Sequence, residues 1–284
     1  MLNQIEKLLI VVGCQRSGTT LLGQILGAPE DALLIDEDDG LYDWFTEFAR
    51  TGSHARALLD DILGHAARKY RSNPASPGQN TRHAALDKSD IRYLVLKAPN
   101  LTYAFDDISR IGIPAAVIYI VRDPRSVVAS MRLLSHVPMI ENQTKLLEHR
   151  KSLASEFRQE LSVLRDPIVS PITKCAVIWR IKSTLHDKFM SLGIPTHRLK
   201  YEDLIADAAE TCRRLAHGLD IPFDPQMLSH EEVYQGTGPG RTVRSRSIDQ
   251  DSVEAWRKTL DANDEQLVLD IAAPQMRTLG YEIT

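Results

Sequence analysis

Residues 13–20, Gly-Cys-Gln-Arg-Ser-Gly-Thr-Thr, have the spacing of a phosphate-binding loop from which the lysine is missing. A nucleoside-triphosphate loop is written G-x-x-x-x-G-K-[ST], and its lysine reaches the outer phosphates. Here Gly13 and Gly18 keep that spacing and Thr20 is in place, but Thr19 fills the lysine position and the only cation, Arg16, sits earlier. The backbone N–H groups of Ser17, Gly18, Thr19 and Thr20 open a helix, whose positive end favours a bound anion. Such a loop cradles a phosphate but is poorly built to clamp a triphosphate.

Two further groupings suit the same ligand. Arg122 ends an apolar run and Ser130 follows eight residues later, in Ile-Val-Arg-Asp-Pro-Arg-Ser-Val-Val-Ala-Ser. An arginine fork and a hydroxyl can meet on one anion if the intervening turn folds them together. Lys97 closes another apolar run, Tyr-Leu-Val-Leu-Lys, and would be a further cation. A rival reading takes residues 118–123 as a strand that aims Asp123 at magnesium, as in a small P-loop kinase. His136, standing alone among the motif residues, is read as structural, and Tyr42 and Trp44 as core rather than pocket wall.

These residues need strands to carry them. Residues 7–12 are a continuous apolar run ending at Gly13, as in a central parallel strand covered on both faces. Residues 32–35, 92–96, 115–121 and 197–201 read as four more strands. Helices are expected at 19–26, 41–70 (with Leu58, Leu59, Ile62 and Leu63 on one face), 104–110, 126–134, 141–165, 173–191, 208–219 and 252–278. Residues 71–82, 236–240 and the basic stretch 241–246 read as loop. Strands alternating with helices give β-α-β units, hence an α/β fold with a parallel sheet and helices on both faces. No repeat or linker divides the chain, so residues 1–284 are read as one domain.

Bulk properties narrow the class. The 284 residues are 43% hydrophobic and 25% charged, with a net charge of −4, an ordinary globular balance that argues against a general nucleic-acid binder. Cys14, Cys175 and Cys212 are odd in number and widely spaced, which fits buried reduced thiols better than a disulfide framework or zinc site. No apolar run approaches the ~20 residues that cross a bilayer, and the first residues do not read as a signal peptide. The expected location is cytoplasmic, with no membrane span.

Taken together, residues 8–26, 94–100 and 119–131 resemble the sulfotransferases that use 3′-phosphoadenosine 5′-phosphosulfate (PAPS). The first segment is similar to that family's P-[RK]-S-G-T-T loop, the third to its 3′-phosphate motif of an Arg and a Ser eight residues apart. Tyr201-Glu202-Asp203-Leu204 is similar to its Y-E-D-L stretch, and Trp256-Arg257-Lys258-Thr259-Leu260 to its C-terminal tryptophan segment. The resemblance implies a P-loop-type α/β fold with additional helices around the acceptor side. It implies a metal-independent, in-line transfer of a sulfuryl group from PAPS to a hydroxyl or amine, leaving adenosine 3′,5′-bisphosphate. Arg16 would contact the bridging oxygen and 5′-phosphate, Ser17, Gly18, Thr19 and Thr20 the 5′-phosphate, Arg122 and Ser130 the 3′-phosphate, and Lys97 the sulfate region. Tyr201 would belong to the donor site. Arg241, Arg244 and Arg246 resemble a basic segment that closes over the 3′-phosphate, with Arg246 the residue expected there.

The chain departs from the cytosolic small-molecule branch at two points. That branch carries K-T-H where this sequence has Lys97-Ala98-Pro99, and a tryptophan where this sequence has Leu21. The base must come from elsewhere, and the acidic run Asp36-Glu37-Asp38-Asp39 is the source expected from tyrosylprotein and carbohydrate sulfotransferases. Glu37 is the expected general base, with Asp36 second. The implied acceptor bears a hydroxyl, on a small molecule, a sugar or a tyrosine side chain. The other readings are the kinase and a non-catalytic nucleotide-binding regulator of the same fold.

Overall fold

The computed structural model describes residues 5–37, 40–51, 57, 59–64, 91–134, 137–238 and 242–283. Asp38, Asp39, Leu58, His136, Arg241 and the loop read at 71–82 lie outside the described residues.

Five strands form one parallel sheet: β1 (Lys7–Gly13), β2 (Ala32–Asp36), β3 (Tyr93–Lys97), β4 (Ala115–Val121) and β5 (Thr196–Lys200), in the order β2-β3-β1-β4-β5. They are the five runs expected from the sequence, shifted by no more than one residue at either end. Along β1, Leu8, Ile10 and Val12 point into one core cluster and Leu9 and Val11 into the other. Both faces are therefore dry, which is why the strand reads as an unbroken apolar run rather than an alternation. Each such side chain contributes roughly 1.5–3 kcal/mol on burial, so β1 is a firm base for the loop that follows it.

Helices cover both faces. On the first, α5 (Pro171–Thr184) brings Trp179 and α7 (Ala262–Thr278) brings Val268, Ala272 and Met276. On the second, α1 (Thr19–Gly27) brings Leu22 and Ile25, and α6 (Tyr201–Ala206) brings Leu204. Between them in sequence lie α2 (Leu41–Thr51), α3 (Pro124–Arg132) and α4 (Met139–His149).

Three helical expectations need correction. The stretch 141–165 is not one helix: α4 is followed by Lys151–Glu156 and Arg158–Arg165, because Arg150 (ψ 87°) and Phe157 (ψ 37°) leave the helical region. The stretch 173–191 divides into α5 and His186–Ser191. The last helix begins at Ala262 rather than 252, where the Asp261 side chain accepts from the Asp264 N–H at 2.8 Å and caps it. Residues 236–246, read as loop, contain an antiparallel hairpin of β6 (Thr237–Gly238) and β7 (Thr242–Val243).

The chain order places β1 between β3 and β4. The turns leaving all three strands open side by side at the carboxyl edge of the sheet, where the direction of strand succession reverses. Ligands of open α/β sheets collect at that point.

Candidate active site

The turn after β1 is fixed by what lies beneath it. Gly13 has φ 148°, and a Cβ there would stand 2.3 Å from the Ile120 carbonyl oxygen of β4. Gly18 has φ 95°, and a Cβ would strike the Tyr201 ring at 2.4 Å. Both positions need glycine for conformation and for space. Arg16 itself holds φ 67°, the left-handed region that larger residues avoid. Among the described residues no side chain caps the start of α1, so its first N–H groups turn toward the opening. Ser17 is fully buried, and its Oγ has no partner among the described residues.

The loop is tied to the Arg122/Ser130 pair. Arg16 Nε donates to Ser130 Oγ at 2.9 Å, and Arg122 Nη1 donates to the Arg16 carbonyl at 3.0 Å. Arg122 also donates to the Ser252 carbonyl and lies over the Tyr201 ring, 4.2 Å from its centroid. The Tyr201 hydroxyl in turn meets Ser252 Oγ at 2.7 Å. Among the described residues Arg122 makes no carboxylate contact, and its buried Nε has no partner there. Burial and the adjacent Arg122 lower the Arg16 pKa, while Glu37 acts to raise it.

An ion cluster sits under the loop. Lys97 Nζ, fully buried, donates to Asp36 Oδ1 at 2.5 Å, Glu37 Oε1 at 2.9 Å and Thr20 Oγ1 at 3.3 Å. Asp36 also accepts from Arg244 Nη2 at 2.7 Å and from the Glu37 N–H at 2.6 Å. Burial pushes Lys97 toward the neutral form, but Asp36 and Glu37 outweigh it and its pKa is raised. Burial likewise acts to raise Asp36, and Lys97 and Arg244 overcome it and hold the carboxyl below its ordinary value.

These groups border a cleft of about 830 Å³ at the carboxyl edge. Its wall includes Arg16, Gly18, Thr19, Thr20, Glu37, Arg122, Ser130, Tyr201 and Arg246. Ser17, Asp36 and Lys97 do not belong to the wall. Lys97, expected at the sulfate, faces downward to the two carboxylates and holds Glu37 from behind. Of the three arginines expected as one closing segment, the two described ones do different things. Arg246 stays exposed at the cleft, paired with Asp249, and Arg244 turns inward to Asp36; Arg241 lies outside the described residues. Tyr42 and Trp44 pack against the core instead of lining the cleft, as expected. Asp123, the residue a kinase reading would set on magnesium, caps α3 by accepting the Arg125 N–H at 2.8 Å and pairs with the Arg125 side chain at 2.8 Å. The three cysteines are free and buried.

Several site residues escaped the sequence reading. Thr242 of β7 accepts from Arg16 Nη1 at 3.3 Å, and Gln15, Asn100 and Gln143 join the cleft wall. No spacing rule marks them, since each meets its partners through the tertiary fold.

Residues 9–225 match the model of the Sulfotransferase family. Protein-tyrosine sulfotransferase 1 of Danio rerio is 23% identical over 288 residues, covering 99% of this chain and 74% of its own. Carbohydrate sulfotransferase 3 of Mus musculus is 27% identical over 169 residues, covering 59% of this chain and 34% of its own, so the chain spans about a third of that relative. Among solved structures, the sulfotransferase domain from the curacin biosynthetic pathway superposes with a TM-score of 0.57 at 18% identity, over 99% of this chain and 100% of that one, a likeness of fold. The family match spans most of the chain, and the protein is a sulfotransferase enzyme belonging to the Sulfotransferase family.

Proposed function

We propose that the sulfuryl donor is PAPS, that Glu37 is the general base and that the acceptor presents a hydroxyl. The observation that carries this is the joining of the phosphate loop to the distant Arg/Ser pair, through Arg16 Nε to Ser130 Oγ at 2.9 Å and Arg122 Nη1 to the Arg16 carbonyl at 3.0 Å. A ligand with phosphates at both ends of a nucleoside suits such a cleft. The uncapped start of α1 with Thr19 and Thr20 would hold the 5′-phosphate, aided by Ser17, whose hydroxyl is otherwise unmet. Arg122 and Ser130 would hold the 3′-phosphate, with Arg246 beside them and Tyr201 supporting Arg122 from its ring face.

The donor supplies the sulfuryl group; the chain supplies cations and a base. Glu37 takes the proton from the acceptor hydroxyl as that oxygen bonds to sulfur. Arg16 and the helix terminus offset the charge left on the 5′-phosphate. Lys97 is a positioning residue in this scheme, since its ammonium holds the Glu37 carboxylate at 2.9 Å. The kinase reading loses its magnesium ligand because Asp123 is committed to Arg125 and the start of α3.

The test is calorimetry joined to turnover. Wild type should bind adenosine 3′,5′-bisphosphate without metal and bind ATP with magnesium weakly or not at all. Glu37→Gln should keep that affinity and lose about 10²–10⁴ in transfer rate, the usual worth of a positioned base. Tight ATP binding with none of the bisphosphate sinks the donor assignment. Unchanged turnover in Glu37→Gln sinks the base.

A further inference from the structure

The peptide group that follows Arg122 is held at both of its polar ends. Its carbonyl, that of Arg122, accepts from the Trp179 indole Nε1 at 2.9 Å. Its N–H, that of Asp123, donates to Glu202 Oε1 at 2.9 Å. Trp179 is fully buried on α5, and Glu202 lies in the first turn of α6. Pro124 confines the residue before it to extended backbone, and Asp123 has ψ 125°. With that bond set by proline and the peptide clamped, the main chain carries Arg122 out of β4 in one orientation. The residue before Glu202 takes the other end of the arginine, since the Tyr201 ring centroid lies 4.2 Å from the guanidinium carbon. Two successive residues of α6 therefore hold Arg122, Tyr201 by its guanidinium and Glu202 by its peptide.

A carboxylate beside an anion site works against it electrostatically. Among the described residues Glu202 forms no ion pair that would neutralise it; its oxygens accept only from the Asp123 N–H and, at 2.9 Å, from the Tyr281 hydroxyl. Burial pushes its pKa up, and those two donors act against the rise. A half-buried, unpaired carboxylate is costly, so its place is explained by the donors it satisfies. Tyr281 is itself seated firmly. Its N–H donates to the Met276 carbonyl at 2.9 Å, and Lys200 Nζ lies 4.6 Å from its ring centroid while donating to the Gly280 carbonyl at 2.7 Å. A run of contacts thus leads from the turn after α7, through Glu202, to the turn after β4.

We infer that Glu202, seated by Tyr281, is a positioning residue for Arg122, and that through Arg122 it sets the preference of the cleft for a nucleotide phosphorylated at its 3′ position. This rests on the reading that Arg122 meets the 3′-phosphate. Without Glu202 Oε1 the Asp123 N–H loses its acceptor, the peptide is held only at its Trp179 end, and the guanidinium is no longer aimed by its own backbone.

The experiment is isothermal titration of the full chain, without metal, with adenosine 3′,5′-bisphosphate and with adenosine 5′-monophosphate. The quantity read is the ratio of the two dissociation constants. Wild type should bind the bisphosphate at least about tenfold more tightly, the value of one hydrogen bond to a charged group. Glu202→Leu should cut that ratio about fivefold, by weakening the bisphosphate while the monophosphate stays within about twofold of wild type. Glu202→Gln should keep the ratio, because its amide oxygen can accept from the Asp123 N–H. Tyr281→Phe removes one hydroxyl from a retained ring and should lower the ratio in the same direction, so the test survives a poorly folding Glu202→Leu. A merely electrostatic role has the opposite sign, since loss of a carboxylate favours the bisphosphate in Glu202→Leu and Glu202→Gln alike. A merely structural role weakens both nucleotides together and leaves the ratio fixed. Either result overturns the inference, as does a loss in Glu202→Gln as large as in Glu202→Leu. Equal affinities for the two nucleotides in wild type strike the reading of Arg122 itself, and the inference falls with it.

Discussion

Two lysines lie fully buried near this site, and their surroundings set them in opposite states. Lys97 touches two carboxylates; burial favours the neutral amine, but the ion pairs prevail and the pKa rises. Among the described residues Lys182 meets carbonyl oxygens and the Tyr103 ring but no carboxylate, so burial prevails and its pKa falls from 10.5 to about 7. The consequence is a pH-dependent stability with a definite sign. Between about pH 7 and 10.5 the unfolded chain holds a proton on Lys182 that the folded chain has released, so stability rises with pH. Below that window the folded protein carries the whole cost of a buried ammonium. Urea denaturation of wild type against Lys182→Met should show wild type gaining about 2 kcal/mol relative to the variant between pH 7 and pH 9. Parallel profiles for the two proteins would mean that Lys182 is not held near neutrality.

At the scale of elements, the hairpin of β6 and β7 works as a clasp. Its Thr242 accepts from Arg16, and Arg244, just past β7, passes inward to Asp36 while its carbonyl accepts from Gln24 of α1 at 3.3 Å. Arg244 therefore reaches Glu37 through Asp36 and Lys97, and the clasp bears on both the loop cation and the proposed base. Removing one partner of a buried ion pair is strongly destabilising. Arg244→Met should lower stability by up to about 3 kcal/mol, because Lys97 still holds Asp36, and should slow transfer well below the melting range. Arg244→Lys should restore part of both, measured by denaturation and initial rates; a variant melting and turning over like wild type would show the hairpin to be idle. This connection was not legible in the sequence. Strands β1 to β4 could be read because burial on both faces leaves a continuous apolar run, whereas β5 is a half-exposed edge strand; the meeting of Arg16, Arg122 and Ser130 could be expected because a loop motif and a strand end place them. The direction of Arg244 depends on a carboxylate 208 residues earlier, and its neighbours in a Gly/Pro-rich segment read only as loop. The direction of Lys97 was hidden in the same way: its strand end was visible, but its ammonium turns to Asp36 at the end of β2 and to Glu37 just after it.

For the molecule as a whole, the cleft closes only when distant parts of the chain arrive. The turn after β1 brings Arg16, the turn after β4 and α3 bring Arg122 and Ser130, and the segment beyond the family-matched residues brings Thr242, Ser252 and Trp256. The protein carries a net charge of −4, yet these turns gather arginines at one edge, so the field that draws an anion is local to the cleft. A ligand that touches all three parts must stabilise the whole fold, by about 2.7 kcal/mol at a hundredfold excess over its Kd. For a chain of 284 residues that is a rise in Tm of about 4–5 °C. Adenosine 3′,5′-bisphosphate should produce it without added metal. Adenosine 5′-monophosphate at the same concentration should produce a clearly smaller rise, since it cannot engage Arg122 and Ser130 through a 3′-phosphate. The difference between the two nucleotides should shrink in Ser130→Ala and fall further in Arg122→Met, the second of which also strips the cation from the Tyr201 ring. Equal shifts from the two nucleotides in wild type would mean that the Arg/Ser pair ties the loop to α3 without reading the 3′ end of the donor.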